Sequence, residues 1–173
     1  MNAVLQAMKE RRSVRAYQDK PVPRDVIERI CEAGTYAPTG MGFQSPIILA
    51  VTNRQLRDRL SAMNARIMGR DADPFYGAPV VLVVLADKSR GTYLYDGSLV
   101  MANLMLAAHA EGLGSCWIHR AKEEFESEEG KAILKELGIE GDYEGIGHCI
   151  LGYADGPAPE AKPRKADYVK WVE

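Results

Sequence analysis

A cluster of basic residues near the start of the chain is the feature best suited to chemistry. It consists of Arg11, Arg12, Ser13 and Arg15. A second basic group near the other end contains Lys162, Arg164 and Lys165. Guanidinium forks and a hydroxyl offer several charge-assisted donors to one dianion, so together the two groups suit a phosphate monoester. A solvated run of charge is the commoner use of such a pattern, and the residues alone leave both interpretations open.

Metal and nucleophilic sites have weaker support. The histidines His109, His119 and His148 lack partners at metal-ligand spacing, so the sequence predicts no metal site. Cys116 with His119 is a weak pair for nucleophilic catalysis, because Cys116 lies in an apolar stretch that is typical of a strand.

The sequence also lacks the motifs of nucleotide-binding sites and of nucleic-acid-binding modules. The glycine stretches 40–45, 112–114 and 145–147 do not complete a dinucleotide fingerprint, and no Walker-type Gly-Lys-Ser occurs. A net charge of -2 gives no overall field for nucleic acid. Neither basic cluster is interleaved with stacking aromatics. We therefore expect no Rossmann NAD site, no ATP site and no nucleic-acid partner.

Length and composition indicate one globular domain over residues 1–173. A chain of 173 residues fits a single hydrophobic core, and its 46% hydrophobic and 27% charged content is ordinary for a globular protein. Three cysteines in apolar surroundings favour buried thiols in a reducing compartment. No leader-like segment and no apolar run of about 18 residues is present. We expect a cytoplasmic protein without a membrane partner.

The elements that must position the basic residues follow from hydrophobic periodicity and capping residues. Strands are predicted at 47–52, 79–85, 115–118 and 146–153, the second of them central because it is apolar on both faces. Helices are predicted over the first residues, from Pro23, after Asn53, over 95–111 with burial all round, and after Ser127 up to Gly138. Because helices and strands do not alternate as βαβ units, the predicted class is α+β.

The last segment, residues 154–173, differs in composition from the rest. Prolines at 157, 159 and 163 argue against a helix or a central strand at its start. It ends in Tyr168, Val169 and Trp171, which a free tail would not usually carry. We expect an extended tail whose end docks on a surface, for which a partner subunit is one candidate.

Four segments, taken in order, resemble the FMN-dependent nitroreductase family. They are 11–15, 37–46, 112–118 and 151–153, the last followed by the basic tail. The resemblance implies an α+β fold with a central, mostly antiparallel sheet flanked by helices. It also implies an intertwined homodimer whose C-terminal tails dock on the partner, with two FMN molecules at the subunit interface.

The resemblance assigns the basic residues to the two ends of FMN. Arg11, Arg12 and Ser13 correspond to positions that hold the phosphate, together with Lys162 and Arg164. Arg15 corresponds to the cation beside the N1 and O2 side of the isoalloxazine ring, where it acts as an electrostatic stabiliser.

The resemblance assigns further residues to the ring itself. Pro38, Thr39 and Gly40 correspond to residues that reach the flavin from the partner subunit, and Gln44 to a polar position of the same loop. Asn64 corresponds to an amide at the pyrimidine edge. The main chain at Ile118, His119 and Arg120 corresponds to the segment whose N–H faces flavin N5. His119 and Arg120 replace smaller or acidic residues that are common there.

The implied activity is that of an FMN-dependent NAD(P)H oxidoreductase. Hydride transfer through flavin N5 would reduce nitroaromatics, quinones or similar electron-poor small molecules in a ping-pong cycle, with no side-chain acid or base required. The sequence leaves open the physiological acceptor and the choice between NADH and NADPH. It also leaves open another flavin reaction on the same fold, such as dehydrogenation, dehalogenation or flavin breakdown, and a non-catalytic FMN-binding or storage protein.

Overall fold

The computed structural model describes residues 2–173, which form helices and strands in mixed order. The helices are α1 (Ala3–Glu10), α2 (Arg24–Thr35), α3 (Arg54–Met68), α4 (Tyr93–Ala110), α5 (Ala121–Glu126) and α6 (Glu128–Glu136). The strands are β1 (Pro46–Val51), β2 (Val80–Asp87), β3 (Gly114–Ile118) and β4 (Tyr143–Gly152). A single 3-10 turn spans Gly40–Gly42 between α2 and β1.

The four strands form one sheet in the order β1-β2-β4-β3, and each of its three pairings is antiparallel. This confirms the predicted α+β class with a central antiparallel sheet. β3 follows α4 in sequence but pairs with β4, which places it at an edge of the sheet. One side of β3 is therefore open to another segment of chain.

Both faces of β2 are buried, as its continuous apolar sequence predicts. Val80, Leu82 and Val84 point into a core shared with α2 and α4. Val81, Val83 and Leu85 point into a second core shared with α3, α5 and α6. The sheet is thus a middle layer with helices on both sides, and β2 joins the two cores.

The predicted helix caps are confirmed. The side chain of Asn53 accepts a hydrogen bond from Leu56 N at 2.9 Å, which starts α3. The Ser127 hydroxyl accepts one from Gly130 N at 3.0 Å, which starts α6. Gly138 follows α6 with a φ of 69°, a left-handed conformation that glycine adopts without strain. These are local interactions between residues close in sequence, which is why a sequence pattern finds them.

The prediction that the helix at 95–111 is buried all round is wrong for the single chain. Met101 and Leu104 of α4 are fully buried, whereas Tyr95 is 73% exposed and Leu99 is also exposed. An apolar sequence shows that a helix needs covering, but it does not show whether the cover comes from the same chain. The outer face of α4 is uncovered within residues 2–173.

The short helix α5 was not predicted, and the tail was predicted only in outline. α5 has six residues, four of them charged, so no apolar period marks it. Residues 155–173 are exposed and form no helix or strand, in agreement with an extended tail. Docking of the tail on a partner stays a prediction.

A loop between α3 and β2 is organised by one carboxylate. Asp73 accepts hydrogen bonds from Arg57 Nη2, from Ser61 Oγ at 2.6 Å, from Phe75 N at 2.9 Å and from Gly77 N at 2.7 Å. Burial opposes ionisation of Asp73, but these donors outweigh it and hold the pKa of the carboxyl below its usual range. The loop therefore depends on the ionised form.

Replacing Asp73 by Asn should lower the free energy of unfolding by about 2 kcal/mol at neutral pH, because an amide cannot accept from all of these donors. A carboxylate with a depressed pKa stabilises the fold above its unfolded pKa, about 4, and this stabilisation is lost as the pH falls through the lower folded value. The difference between the wild type and D73N should therefore shrink below about pH 4. Urea unfolding as a function of pH measures it.

Asp58→Asn is the matched control, because Asp58 contacts the same Arg57 but is more than half exposed. Its effect should stay within about 0.5 kcal/mol. Equal losses in the two variants would show that Asp73 has no special role in the loop.

Candidate functional site

The basic segment is fixed to the open edge of β3. Ser13 forms a parallel bridge with Ser115, and Val14 N donates to Ser115 O at 2.9 Å. The approach is close, since a Cβ at Gly114 would lie 2.8 Å from Val14. Glycine at 114 therefore allows the segment to lie against the strand. The chain between α1 and α2 thus brings the arginines to the edge of the sheet.

The three arginines of this segment differ in their surroundings. Arg12 Nη1 donates to Lys9 O and to Arg11 O, each at 2.7 Å. Arg11 Nη1 is buried, yet it has no hydrogen-bond partner within residues 2–173. Arg15 is exposed. A buried cationic donor without an acceptor is costly, and such an atom calls for an explanation, of which a missing anion is the most direct.

The tail cations are not joined to this cluster in the single chain. Lys162 and Arg164 both lie in the exposed tail, where neither forms an ion pair with any residue of the described chain 2–173. Arg11, Arg12 and Ser13, which are consecutive in the chain, therefore lie at the edge of β3, whereas Lys162 and Arg164 are separate from them.

The loop that carries Pro38, Thr39, Gly40 and Gln44 is held by Asp96 in the first turn of α4. The buried carboxylate of Asp96 accepts from Gly40 N at 3.0 Å. It also accepts from Thr92 Oγ1 at 3.0 Å and from Ser45 Oγ at 3.4 Å. A Cβ at position 40 would lie 2.3 Å from Thr92 Oγ1, so glycine is required there.

The outer side of this loop is presented to solvent. Gln44 has a φ of 52°, and its N–H donates to Thr39 Oγ1 at 3.0 Å. Pro38 and Gln44 are exposed, and Met41 and Phe43 are exposed apolar side chains of the same loop. Asp96 was not among the predicted site residues, although a carboxylate inside an otherwise apolar helix is a visible signal in the sequence. The loop is thus held by hydrogen bonds at its base and exposes two large apolar side chains at its surface.

The segment at the end of β3 is anchored by Asn64. The Asn64 side chain is fully buried; its Nδ2 donates to His119 O at 2.8 Å and also to Glu124 Oε1. Its Oδ1 accepts from Arg120 Nε at 2.8 Å. The expected contact of this amide with a flavin pyrimidine edge does not fit this geometry, because every polar atom of the side chain already has a partner in its own chain. Asn64 instead holds the segment 118–120.

Two more buried polar side chains complete this anchor. His148 and Glu124 are both fully buried, with His148 Nε2 lying 3.1 Å from Glu124 Oε2. The other ring nitrogen, Nδ1, lies 3.4 Å from Ile118 O. Neither residue was a predicted site residue: His148 lies in a predicted strand, and Glu124 is one of four charged residues of α5.

The Cys116–His119 pair does not form a nucleophilic site. Cys116 is buried in the core beneath the sheet, whereas His119 is exposed. Burial also raises the pKa of Cys149, which keeps that thiol protonated and inert. Burial raises the pKa of Tyr17 as well, and its hydroxyl donates to Val14 O at 2.8 Å. These groups serve packing and hydrogen bonding rather than nucleophilic catalysis.

No set of histidine, cysteine, aspartate and glutamate side chains within residues 2–173 is arranged to hold a metal ion. Over the same residues, no helix has the length and apolar character that crossing a membrane requires.

Sequence relatives cover most of the chain. The sequence model of the nitroreductase family matches residues 8–74 and 66–153. A Methanothermobacter thermautotrophicus protein named as an NADH dehydrogenase/NAD(P)H nitroreductase is 34% identical over 119 residues. That match covers 66% of this chain and 59% of the relative, so the chain spans about three fifths of that protein.

Solved structures match over the full length. A nitroreductase with bound FMN from Bacteroides fragilis has a TM-score of 0.89 at 32% identity, with 100% of both chains covered. A nitroreductase with bound FMN from Desulfitobacterium hafniense has a TM-score of 0.88 at 28% identity, again with 100% of both chains covered. The fold described above is therefore the fold of these proteins.

Proposed function

This chain belongs to the nitroreductase family, and we propose that it is a single-domain, FMN-dependent oxidoreductase that takes electrons from NADH or NADPH and passes them to an electron-poor small molecule. The observation that carries the proposal is the buried, unpartnered Nη1 of Arg11 beside Ser13, in a chain that matches FMN-bound structures along its whole length. A phosphate group, which has several acceptor oxygens, would supply the acceptor for Arg11 Nη1.

The chain offers donors for both ends of FMN along one strand. Arg11, Arg12 and Ser13 would hold the phosphate where the basic segment meets Ser115, and the main chain at 118–120 would meet the ring. A strand rises about 3.3 Å per residue, so Ser115 and His119 are separated by about 13 Å, a span that the ribityl chain and its flanking contacts can bridge. The two ends of the site are thus set by the length of β3.

Bound FMN would supply the redox chemistry, accepting a hydride from NAD(P)H and returning electrons to an acceptor in a ping-pong cycle. The exposed guanidinium of Arg15 supplies positive charge that favours the reduced ring. The loop with Pro38, Thr39 and Gly40 is held at its base by Asp96, so its exposed surface would face the flavin of the partner. These residues bind, orient and exclude water, and no side-chain acid or base is needed. Nitroaromatics and quinones are the acceptor class we propose.

Exposed apolar residues support the proposal that the chain forms an obligate homodimer. Val4, Leu5 and Met8 of α1 are more than half exposed, Tyr95 and Leu99 of α4 are uncovered, and Trp171 is 86% exposed. Large exposed apolar side chains on several elements are typical of an interaction site. We propose that a homodimer covers these faces, that each tail docks on the partner, and that docking brings Lys162 and Arg164 to the phosphate.

Replacing Arg11 by Met should weaken FMN binding at least about tenfold, a loss of about 1.4 kcal/mol, because the phosphate loses a charge-assisted donor while the aliphatic packing is kept. Adding Arg164→Met should release FMN on dialysis. Quenching of flavin fluorescence during titration measures both effects. Arg24→Met, at an exposed arginine of α2, is the control and should bind FMN like the wild type. If the Arg11 variant binds FMN as tightly as the wild type, the basic cluster is a solvated run of charge and not a phosphate site.

Replacing Arg15 by Met should leave FMN bound, lower the midpoint potential of the flavin and slow its reduction by NAD(P)H, because a positive charge near the ring is lost. Arg15→Lys should keep most of the wild-type potential. Spectroelectrochemical titration of the three proteins gives the comparison. If the wild type, Arg15→Met and Arg15→Lys have the same midpoint potential, Arg15 does not lie beside the flavin ring.

Replacing Trp171 by Ala should shift the protein from dimer toward monomer and weaken FMN binding. In an isolated chain a side chain this exposed contributes little to stability, within about 0.5 kcal/mol, so any large effect must come from a partner. Sedimentation velocity and thermal melting measure it. Ile67→Ala, at an exposed apolar residue of α3, is the control and should stay dimeric. A wild-type protein that sediments as a monomer at micromolar concentration would contradict the proposed assembly.

A further inference from the structure

Three buried polar side chains lie behind the end of β3. Asn64 on α3, Glu124 on α5 and His148 on β4 are each 0% exposed. Polar groups in such surroundings are costly unless they are hydrogen-bonded. Asn64 Nδ2 donates to Glu124 Oε1, and Glu124 Oε2 lies 3.1 Å from His148 Nε2, so the three form one continuous network.

The network holds two successive main-chain carbonyls. Asn64 Nδ2 donates to His119 O at 2.8 Å, and His148 Nδ1 lies 3.4 Å from Ile118 O. A carbonyl oxygen can only accept, so in the contact with Ile118 O the ring nitrogen is the donor. Both carbonyls are therefore drawn toward the buried side of the segment.

The orientation of the amide of Asn64 is fixed by its partners. Its Nδ2 faces two acceptors, the oxygens of His119 and Glu124, while its Oδ1 accepts from Arg120 Nε at 2.8 Å. A flipped amide would place an oxygen against two acceptors and a nitrogen against a cation. Arg120 has a φ of 78°, a left-handed conformation that is unfavourable for a residue with a side chain, and its bond to Asn64 helps to hold it there.

Planar peptide geometry then determines where the next N–H groups point. In a trans peptide the carbonyl and the following N–H lie on opposite sides, and residues 2–173 contain no cis peptide. Because the carbonyls of Ile118 and His119 face the buried network, the N–H groups of His119 and Arg120 point away from it. Two adjacent donors are thus directed out of the core.

We propose that Asn64, Glu124 and His148 are positioning residues that aim the main-chain N–H groups of His119 and Arg120 at the flavin ring. The inference rests on the proposed function, because it takes the flavin ring as the acceptor of hydrogen bonds from these two N–H groups. The network acts through the backbone, so its residues do not touch the cofactor. It explains why a fully buried carboxylate and imidazole lie directly behind an exposed loop.

Asn64→Leu removes the three hydrogen bonds at similar volume and should weaken binding of oxidised FMN about tenfold. An N–H can donate to the free lone pair of N5 in oxidised flavin but has no equally good acceptor there after reduction. The midpoint potential should therefore rise, by about 30 mV for tenfold in a two-electron couple. The NMR signals of the His119 and Arg120 amides, recorded on the full chain without added FMN, should shift and exchange faster.

Two further variants keep the test decisive. His148→Gln changes the contacts with Ile118 O and Glu124 Oε2 but keeps the hydrogen bonds of Asn64, and it replaces Asn64→Leu if that variant does not fold. It should move the potential and the His119 amide in the same direction. Ile133→Val removes one methylene from the same core, where Ile133 is 1% exposed, and should lower the melting temperature without moving potential or amide signals.

The outcomes separate the two proposals. Unchanged potential and unchanged His119 and Arg120 amides in the network variants would overturn the positioning role, as would equal changes in Ile133→Val. If the wild type binds no FMN, the proposed function fails; unchanged amide signals in the network variants would then overturn the orientation of these N–H groups separately.

Discussion

The candidate site depends on the pairing of β3 with chain on both of its sides. β4 pairs with one side of β3, and the basic segment is bound to the other by the hydrogen bond from Val14 N to Ser115 O. Without this second pairing the arginines would lie on an unattached connection between α1 and α2. The end of the same strand leads into the segment 118–120. One edge strand therefore sets the positions of both the proposed phosphate site and the proposed ring site.

Rigid support for this strand comes from the layer beneath it. The apolar faces of β2 and β4 pack against helices on both sides of the sheet, and the buried polar network lies in the core under the end of β3. A polar network inside an apolar core is stable only when its members are satisfied, and here Asn64, Glu124 and His148 satisfy one another and the backbone. The outer surfaces of α1, α4 and the tail are different, because their apolar residues lack cover in the single chain.

The parts of the fold that the sequence predicted are those decided by neighbours in the chain. Asn53, Ser127 and Gly138 act within one helical turn, and the strand at 79–85 is recognisable because it is apolar on both faces. The parts that were missed depend on residues far apart in sequence. Asp96 holds Gly40 across 56 positions, and Asn64 meets Glu124 across 60. Periodicity contains no information on such pairs. The resemblance assigned Asn64 to the flavin, whereas in the structure its amide is bonded to His119, Glu124 and Arg120 of its own chain.

The proposed FMN site is tested by the visible spectrum of the purified protein, recorded before and after anaerobic addition of NADH or NADPH. The protein should be yellow and carry one FMN per chain. Its flavin band should bleach on addition of a nicotinamide donor and return when a quinone or nitroaromatic is added. A colourless protein that cannot be reconstituted with FMN would contradict the assignment of the site. A yellow protein that neither nicotinamide donor reduces would contradict the proposed enzyme and leave an FMN-binding protein.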